Sequence, residues 1–151
     1  MSLFVVDASV AIKWFFPEIH SDAALRLLAG EHTLHAPDLI FSEFGNVLWK
    51  RFRKREISKA EASATVEALL SVPFRVQLSQ SLIPLALEIA CGENRTVYES
   101  LYLAEAIVHQ FPVVTARRQA LSRSQKRAFL SLSGLDRGHP AIDPFVCFFG
   151  S

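Results

Sequence analysis

Phe4-Val5-Val6-Asp7-Ala8-Ser9 is the stretch on which the fold turns. Three apolar residues, two of them β-branched, run directly into one carboxylate followed by two small residues. A short continuous apolar run of this kind suits a strand buried on both faces, as in a parallel sheet. Asp7 then falls where the strand ends, and in open α/β sheets ligands bind in the crevice outside the carboxyl ends of the strands. Asp7 is therefore a candidate site residue. The same position also suits a helix cap, by Asp7 or by Ser9, and the stretch alone leaves both readings open.

Outward from this point, apolar periodicity alternates between short strands and helices. Ser9 to Phe16 reads as a first helix stopped by Pro17, because the residue before a proline is biased out of the helical region. Glu18 to Ala29 repeats Ala23, Ala24, Leu27 and Leu28 at helical spacing, with Gly30 as its stop. Thr33 to His35 is a short strand, and Pro37-Asp38 opens a helix whose apolar face runs from Leu39 to Phe52. Ser58 with Glu61 three residues later is a capping box, predicting a helix from Lys59 to Leu70. A strand over Phe74–Leu78 precedes helices over Leu82–Ala90, stopped by Cys91-Gly92, and over Thr96–His109. Val113-Val114-Thr115 is a second run with the look of a buried strand, followed by a basic helix over Ala116–Leu130, a loop marked by Gly134, Gly138 and Pro140, and an edge strand or packed tail at Phe145–Phe149. Strands alternating with helices predict an α/β fold around a parallel sheet.

At 151 residues, half of them hydrophobic, the chain is expected to form one domain over 1–151 with a substantial core. The 16 basic and 15 acidic residues nearly cancel, so net charge does not select a partner. Their distribution is more telling. Lys50, Arg51, Arg53, Lys54 and Arg55 form one cluster, and Arg117, Arg118, Arg123, Lys126 and Arg127 another. Either could face nucleic-acid phosphates, while the first equally suits the C-terminal dipole of its helix. Cys91 and Cys147 lack metal-ligand spacing and read as buried free thiols. His20, His32, His35, His109 and His139 are scattered singly and read as ordinary surface or core residues. Trp14, Trp49 and the phenylalanines read as core or dimer interface. With no basic leader and no apolar run of the ~18 residues that a membrane span needs, a cytoplasmic protein is expected.

Three acids stand where strands end or an inward helical face begins: Asp7, Glu43 among Phe41, Phe44, Val47 and Leu48, and Glu99 in the first turns of its helix. Gathered in one crevice they would repel one another unless a cation were bound. Oxygen-only ligands favour a hard ion, Mg²⁺ or Mn²⁺, and such an ion serves phosphodiester hydrolysis. Glu43 as a surface acid and Glu99 as an acid favoured by the helix dipole remain the simpler alternatives. Ser9 stands where an aspartyl-nucleophile phosphatase needs a second acid, and no glycine-rich turn follows Val6, so phosphatase, P-loop and dinucleotide folds are excluded.

The run Val5-Val6-Asp7-Ala8-Ser9-Val10-Ala11-Ile12-Lys13-Trp14-Phe15, then Pro17-Glu18, resembles the start of PIN-domain proteins, in particular VapC-type toxins of type II toxin–antitoxin systems. Ala36-Pro37-Asp38-Leu39 with Glu43 and Asn46, Tyr98-Glu99-Ser100-Leu101-Tyr102-Leu103-Ala104-Glu105, and Pro112-Val113-Val114-Thr115-Ala116 resemble that family's later blocks, in family order. The resemblance implies a three-layer α/β/α sandwich with a central parallel sheet of four to five short strands. It implies Asp7, Glu43 and Glu99 as catalytic metal ligands for Mg²⁺ or Mn²⁺, RNA as substrate, a cognate antitoxin and a homodimer, without membrane attachment. Ser9 and Thr115 match hydroxyl residues lining the site, and Arg117 and Arg118 are expected to contact substrate. Two positions depart from the pattern: Glu99 replaces an aspartate, and Arg117 replaces the fourth acid. An arginine cannot ligate the ion and its charge is permanent; turned inward it would pair with Asp7 or Glu99 and compete with the metal, turned outward it would hold a substrate phosphate, and weakened metal binding with reduced or lost activity is expected. The alternative is a non-catalytic PIN-like module that binds RNA or a protein.

Overall fold

The computed structural model describes residues 2–117 together with the backbone of residues 145 and 146. Its strands are β1 (Ser2–Val6), β2 (His32–Pro37), β3 (Arg75–Gln77), β4 (Val113–Val114) and β5 (Phe145–Val146). Every pairing is parallel, in the order β3-β2-β1-β4-β5. Parallel neighbours need crossovers, and the helices supply them on both faces. These are α1 (Ala8–Ala11), α2 (Ser21–Ala29), α3 (Leu39–Arg53), α4 (Lys59–Leu70), α5 (Ser79–Glu93) and α6 (Val97–His109). The expected α/β/α sandwich is what forms.

Side-chain alternation along the strands divides the core in two. Val6, Leu34, Ala36 and Val114 join Val10, Trp14, Leu27, Ile40, Phe44 and Leu48 on the face covered by α1 to α4. Val5 and Val113 point the other way, onto Leu82, Ala86, Leu101, Tyr102 and Ala104 of α5 and α6. Val5 is in register with both His35 and Val113, so the parity of the sheet turns His35 towards α6 as well. From Ser100 to Ile107 every residue of α6 is buried, so this helix carries its polar side chains inside the protein.

Several boundaries differ from the sequence expectation, each for a local reason. The first helix closes after one turn and continues as a 3-10 turn over Ile12–Trp14. The second begins at Ser21, after His20 takes a left-handed φ of 69°. α5 starts three residues early because Asp38, 41 residues back, accepts a hydrogen bond from the Ser79 amide at 3.0 Å. It runs through Cys91-Gly92 and ends where Asn94 adopts φ 51°, a conformation asparagine tolerates. Cys91 is exposed, not buried, and Trp49 is half exposed, with the Arg53 guanidinium 5.2 Å from its ring centre. Of the helix expected over Ala116–Leu130 only Ala116 and Arg117 are described, and both lie in a bend; the loop at Gly134, Gly138 and Pro140, Arg118 and Cys147 fall outside the described residues.

The capping box forms in full: the Glu61 amide donates to Ser58 Oγ at 3.1 Å and the Ser58 amide to Glu61 Oε2 at 2.7 Å. Ser58→Ala should cost about 1 kcal/mol in urea unfolding. The hydrogen bonds from Ser58 lower the Glu61 pKa from 4.5. A depressed carboxylate contributes stability above its unfolded pKa and loses it as pH falls. The stability difference between the parent and Glu61→Ala should therefore shrink as the solution is acidified through the carboxylate range.

Candidate active site

β1 and β4 lie side by side at the centre of the sheet, and the residues just beyond their carboxyl ends build the site. Asp7 divides its two oxygens between two tasks. Oδ1 accepts the Ser9 amide at 3.2 Å and caps α1, while Oδ2 accepts the Thr115 hydroxyl at 2.8 Å. The cap and the site residue are thus the same side chain. Thr115 is itself buried and accepts the Arg117 amide at 3.1 Å. Ser9 Oγ lies 3.4 Å from the Thr115 hydroxyl and accepts the Ala116 amide at 3.1 Å, which ties the turn after β4 to the turn after β1.

Glu43 enters from the second turn of α3, and Tyr102 of α6 donates to its Oε2 at 2.5 Å. Burial raises the Glu43 pKa, the Tyr102 hydrogen bond opposes that rise, and Asp7 adds to it. The phenol is pushed far above its usual value, first by burial and then by the charges of Asp7 and Glu43, so it acts as a fixed donor. Glu99 stands in the first turn of α6, where Thr96 caps its amide at 3.2 Å. The favourable dipole position expected for Glu99 holds, and its carboxylate still reaches the site.

Arg117 occupies the centre. Its Nε lies 3.8 Å from Asp7 Oδ2, one terminal nitrogen 3.7 Å from Glu43 Oε1, and the other 3.3 Å from Glu99 Oε1. One guanidinium therefore touches all three acids that sequence reasoning singled out. Partial burial works against the Arg117 charge, but Asp7, Glu43 and Glu99 outweigh it and raise the guanidinium pKa. Three carboxylates facing one point, with hydroxyls behind them, are the oxygen-only donors of a hard divalent ion. The donor set fits Mg²⁺ or Mn²⁺ on condition that Arg117, a cation already seated there, swings away.

A groove of about 490 Å³ opens from the site between α1 and α3, lined by Ser9, Lys13, Glu43, Asn46, Lys50 and Arg117 among others. Lys13 is held by Glu18 at 3.1 Å. In the basic cluster at the end of α3, Arg51 pairs with Glu18 and Glu56 and lies over Phe16, so it ties α3 to the loop before α2. Lys50 is the member of that cluster lining the groove.

Sequence reasoning missed Tyr102, whose apolar surroundings suggest plain core. It also missed His35, Glu105 and His109, which the fold gathers on the α6 face of the sheet with ligand atoms within 4.8 Å of one another. Those two histidines are not the isolated residues their chain positions suggest. Glu105 is fully buried, and burial, helped by the Asp38 charge, pushes its carboxyl up to about 8. Burial lowers His35, with smaller contributions from His109 and Arg75. Burial therefore works against the charged form of both partners in the 3.8 Å contact between His35 Nδ1 and Glu105.

A five-stranded parallel sheet with an acidic crevice beyond β1 and β4 defines a PIN-like α/β protein. The family model for the PIN domain matches residues 4–123, and the chain belongs to that family. It is 33% identical to ribonuclease VapC3 of Pyrobaculum aerophilum over 104 residues, 68% of this chain and 79% of the relative. The crystal structure of PAE2754 from Pyrobaculum aerophilum superposes with a TM-score of 0.62 at 25% identity, covering 88% of this chain and 90% of the other. A toxin–antitoxin complex from Klebsiella pneumoniae shares the fold at a TM-score of 0.55 and 17% identity, covering 79% and 88%. Among the described residues no helix is long and apolar enough to cross a membrane.

Proposed function

We propose that this chain is a single PIN-like domain acting in the cytoplasm as a divalent-metal-dependent endoribonuclease of the VapC toxin type, with activity reduced by Arg117. The observation that carries the reading is the convergence of Asp7, Glu43 and Glu99 on one cation at the carboxyl end of a parallel sheet. Bound in place of the guanidinium, Mg²⁺ or Mn²⁺ would polarise the phosphodiester and acidify a water. The protein's own groups prepare that position. Thr115 orients Asp7, Tyr102 orients Glu43, and Ser9 fixes the turn that carries Arg117. Lys50, together with Arg117 once displaced, would hold RNA phosphates along the groove, and Arg118 remains a proposed substrate contact from its place in the sequence.

A cognate antitoxin and a second copy of the chain are the protein partners proposed. Trp49 and Phe52 on α3 and Ile83 and Leu87 on α5 are exposed apolar side chains available to such contacts. Incubation of the protein with structured RNA in Mg²⁺ or Mn²⁺, and again with chelator, tests the activity. Metal-dependent internal cleavage is expected, and chelator-insensitive cleavage or none at all would contradict it. Tyr102→Phe removes one hydrogen bond from behind a ligand and should weaken Mg²⁺ binding about tenfold, as losses of this kind do at metal sites.

Arg117 itself favours a second reading, a module that binds RNA without cutting it, because its ion pairs already neutralise the acids. RNA binding that survives chelator, with no cleavage in either metal, would select this reading.

A further inference from the structure

We propose that His35, Glu105 and His109 form a second cation site, built for a zinc-class divalent metal, which fastens β2 to α6. Two side chains come from one helix at i and i+4, a spacing that puts both on the same face. The third comes from the strand beneath, turned towards α6 by its register with Val5. Two imidazoles and one carboxylate are the donors of zinc and its neighbours, not of Mg²⁺ or Ca²⁺.

The state of the donors is an independent sign of a missing partner. Among the described residues, both Glu105 oxygens and His109 Nε2 are buried without a hydrogen-bond partner. A buried carboxyl group with neither oxygen engaged is unusual, since buried polar groups are nearly always satisfied. A cation would satisfy all three atoms together. The potential ligand atoms lie within 4.8 Å of one another, and His35 Nδ1 is already 3.8 Å from Glu105 Oε1. Tetrahedral zinc with bonds of about 2.1 Å wants its ligands roughly 3.4 Å apart, so side-chain rotations of about 1 Å would close the site. Phe111 walls it, its ring 4.9 Å from that of His35 and stacked 5.4 Å from that of His109. Apolar walls of this kind limit solvent access to a bound metal. His35 and His109 remain partly accessible, which leaves a route of entry and an open fourth position.

The site is separate from the acidic one. His109 is ten residues beyond Glu99 on α6, about 15 Å along the helix axis. Nothing in the proposal depends on the nuclease reading.

The test uses chelator-stripped full-length protein, with Zn²⁺ in calorimetry and Co²⁺ as a spectroscopic probe. One equivalent of Zn²⁺ should bind, the melting temperature should rise by several degrees, and Co²⁺ should give the intense visible bands of tetrahedral coordination. Glu105→Gln and His109→Gln should each weaken binding at least tenfold, while Asp7→Asn should leave it unchanged. Imidazole nitrogen NMR of the parent needs no substitution: Zn²⁺ should shift the resonances of His35 and His109 and leave those of His20, His32 and His139 in place. No Co²⁺ bands, shifts confined to the other histidines, or binding lost in Asp7→Asn would overturn the proposal.

Discussion

Asp7→Asn is expected to abolish metal-dependent RNA cleavage, a loss on the order of 10³-fold. A hard cation contributes several kcal/mol of transition-state charge stabilisation, and each 1.4 kcal/mol is tenfold in rate. Asn keeps the oxygen that caps α1 and is as good a cap as Asp, so the fold should survive. With that oxygen kept on the cap, the amide nitrogen takes the Oδ2 position and donates to Thr115 Oγ1 instead of accepting from it. What disappears is the negative charge that accepts the Thr115 hydroxyl and lies 3.8 Å from Arg117. Rate and unfolding midpoint should therefore separate: cleavage drops to background while the urea midpoint moves little. A variant with cleavage equal to the parent's would remove Asp7 from the site.

Arg117→Asp is expected to act in the opposite direction. The substitution exchanges one positive for one negative charge at a point within 3.8 Å of three carboxylates. Coulomb energies there are a few kcal/mol per pair at an effective dielectric near 20, and the partial exposure of Arg117 reduces them. Mg²⁺ affinity should still rise at least about tenfold, with RNA cleavage rising alongside it. Without metal the cost reverses sign. Four acids then face one another with no cation between them, so the variant should melt below the parent in chelator and recover when Mg²⁺ is added. Arg117→Ala should fall between the two, because it removes the resident cation without adding a ligand. If Arg117→Asp cleaves no faster than the parent, Arg117 does not restrain the site.

The parts of this architecture that were readable in the sequence are those encoded over a few neighbouring residues. Phe4–Val6 with Asp7, the Ser58–Glu61 box and the helix opened by Thr96 all act within a turn of themselves. The α5 start was not readable, because its cap, Asp38, comes from 41 residues away. The cap and site readings of Asp7 looked exclusive on paper, yet a carboxylate has two oxygens and each takes one task. Arg117 was recognisable as an anomaly by its charge, but its simultaneous reach to Asp7, Glu43 and Glu99 depends on β4 lying beside β1. The His35, Glu105 and His109 group left a faint signal, a glutamate amid Leu103, Ala104, Ala106 and Ile107 with a histidine four residues on. Its third member is 70 residues earlier in the chain, and only strand register brings it there.

Asp7, Glu43 and Glu99 are proposed to form one divalent-cation site whose present occupant is Arg117. Calorimetric titration of Mg²⁺, an ion that the histidine-containing site does not favour, into the parent and Arg117→Asp tests it most directly. The account predicts weak binding by the parent and one site bound at least about tenfold more tightly by the variant. Equal affinity in the two proteins, or no binding by Arg117→Asp, would contradict it.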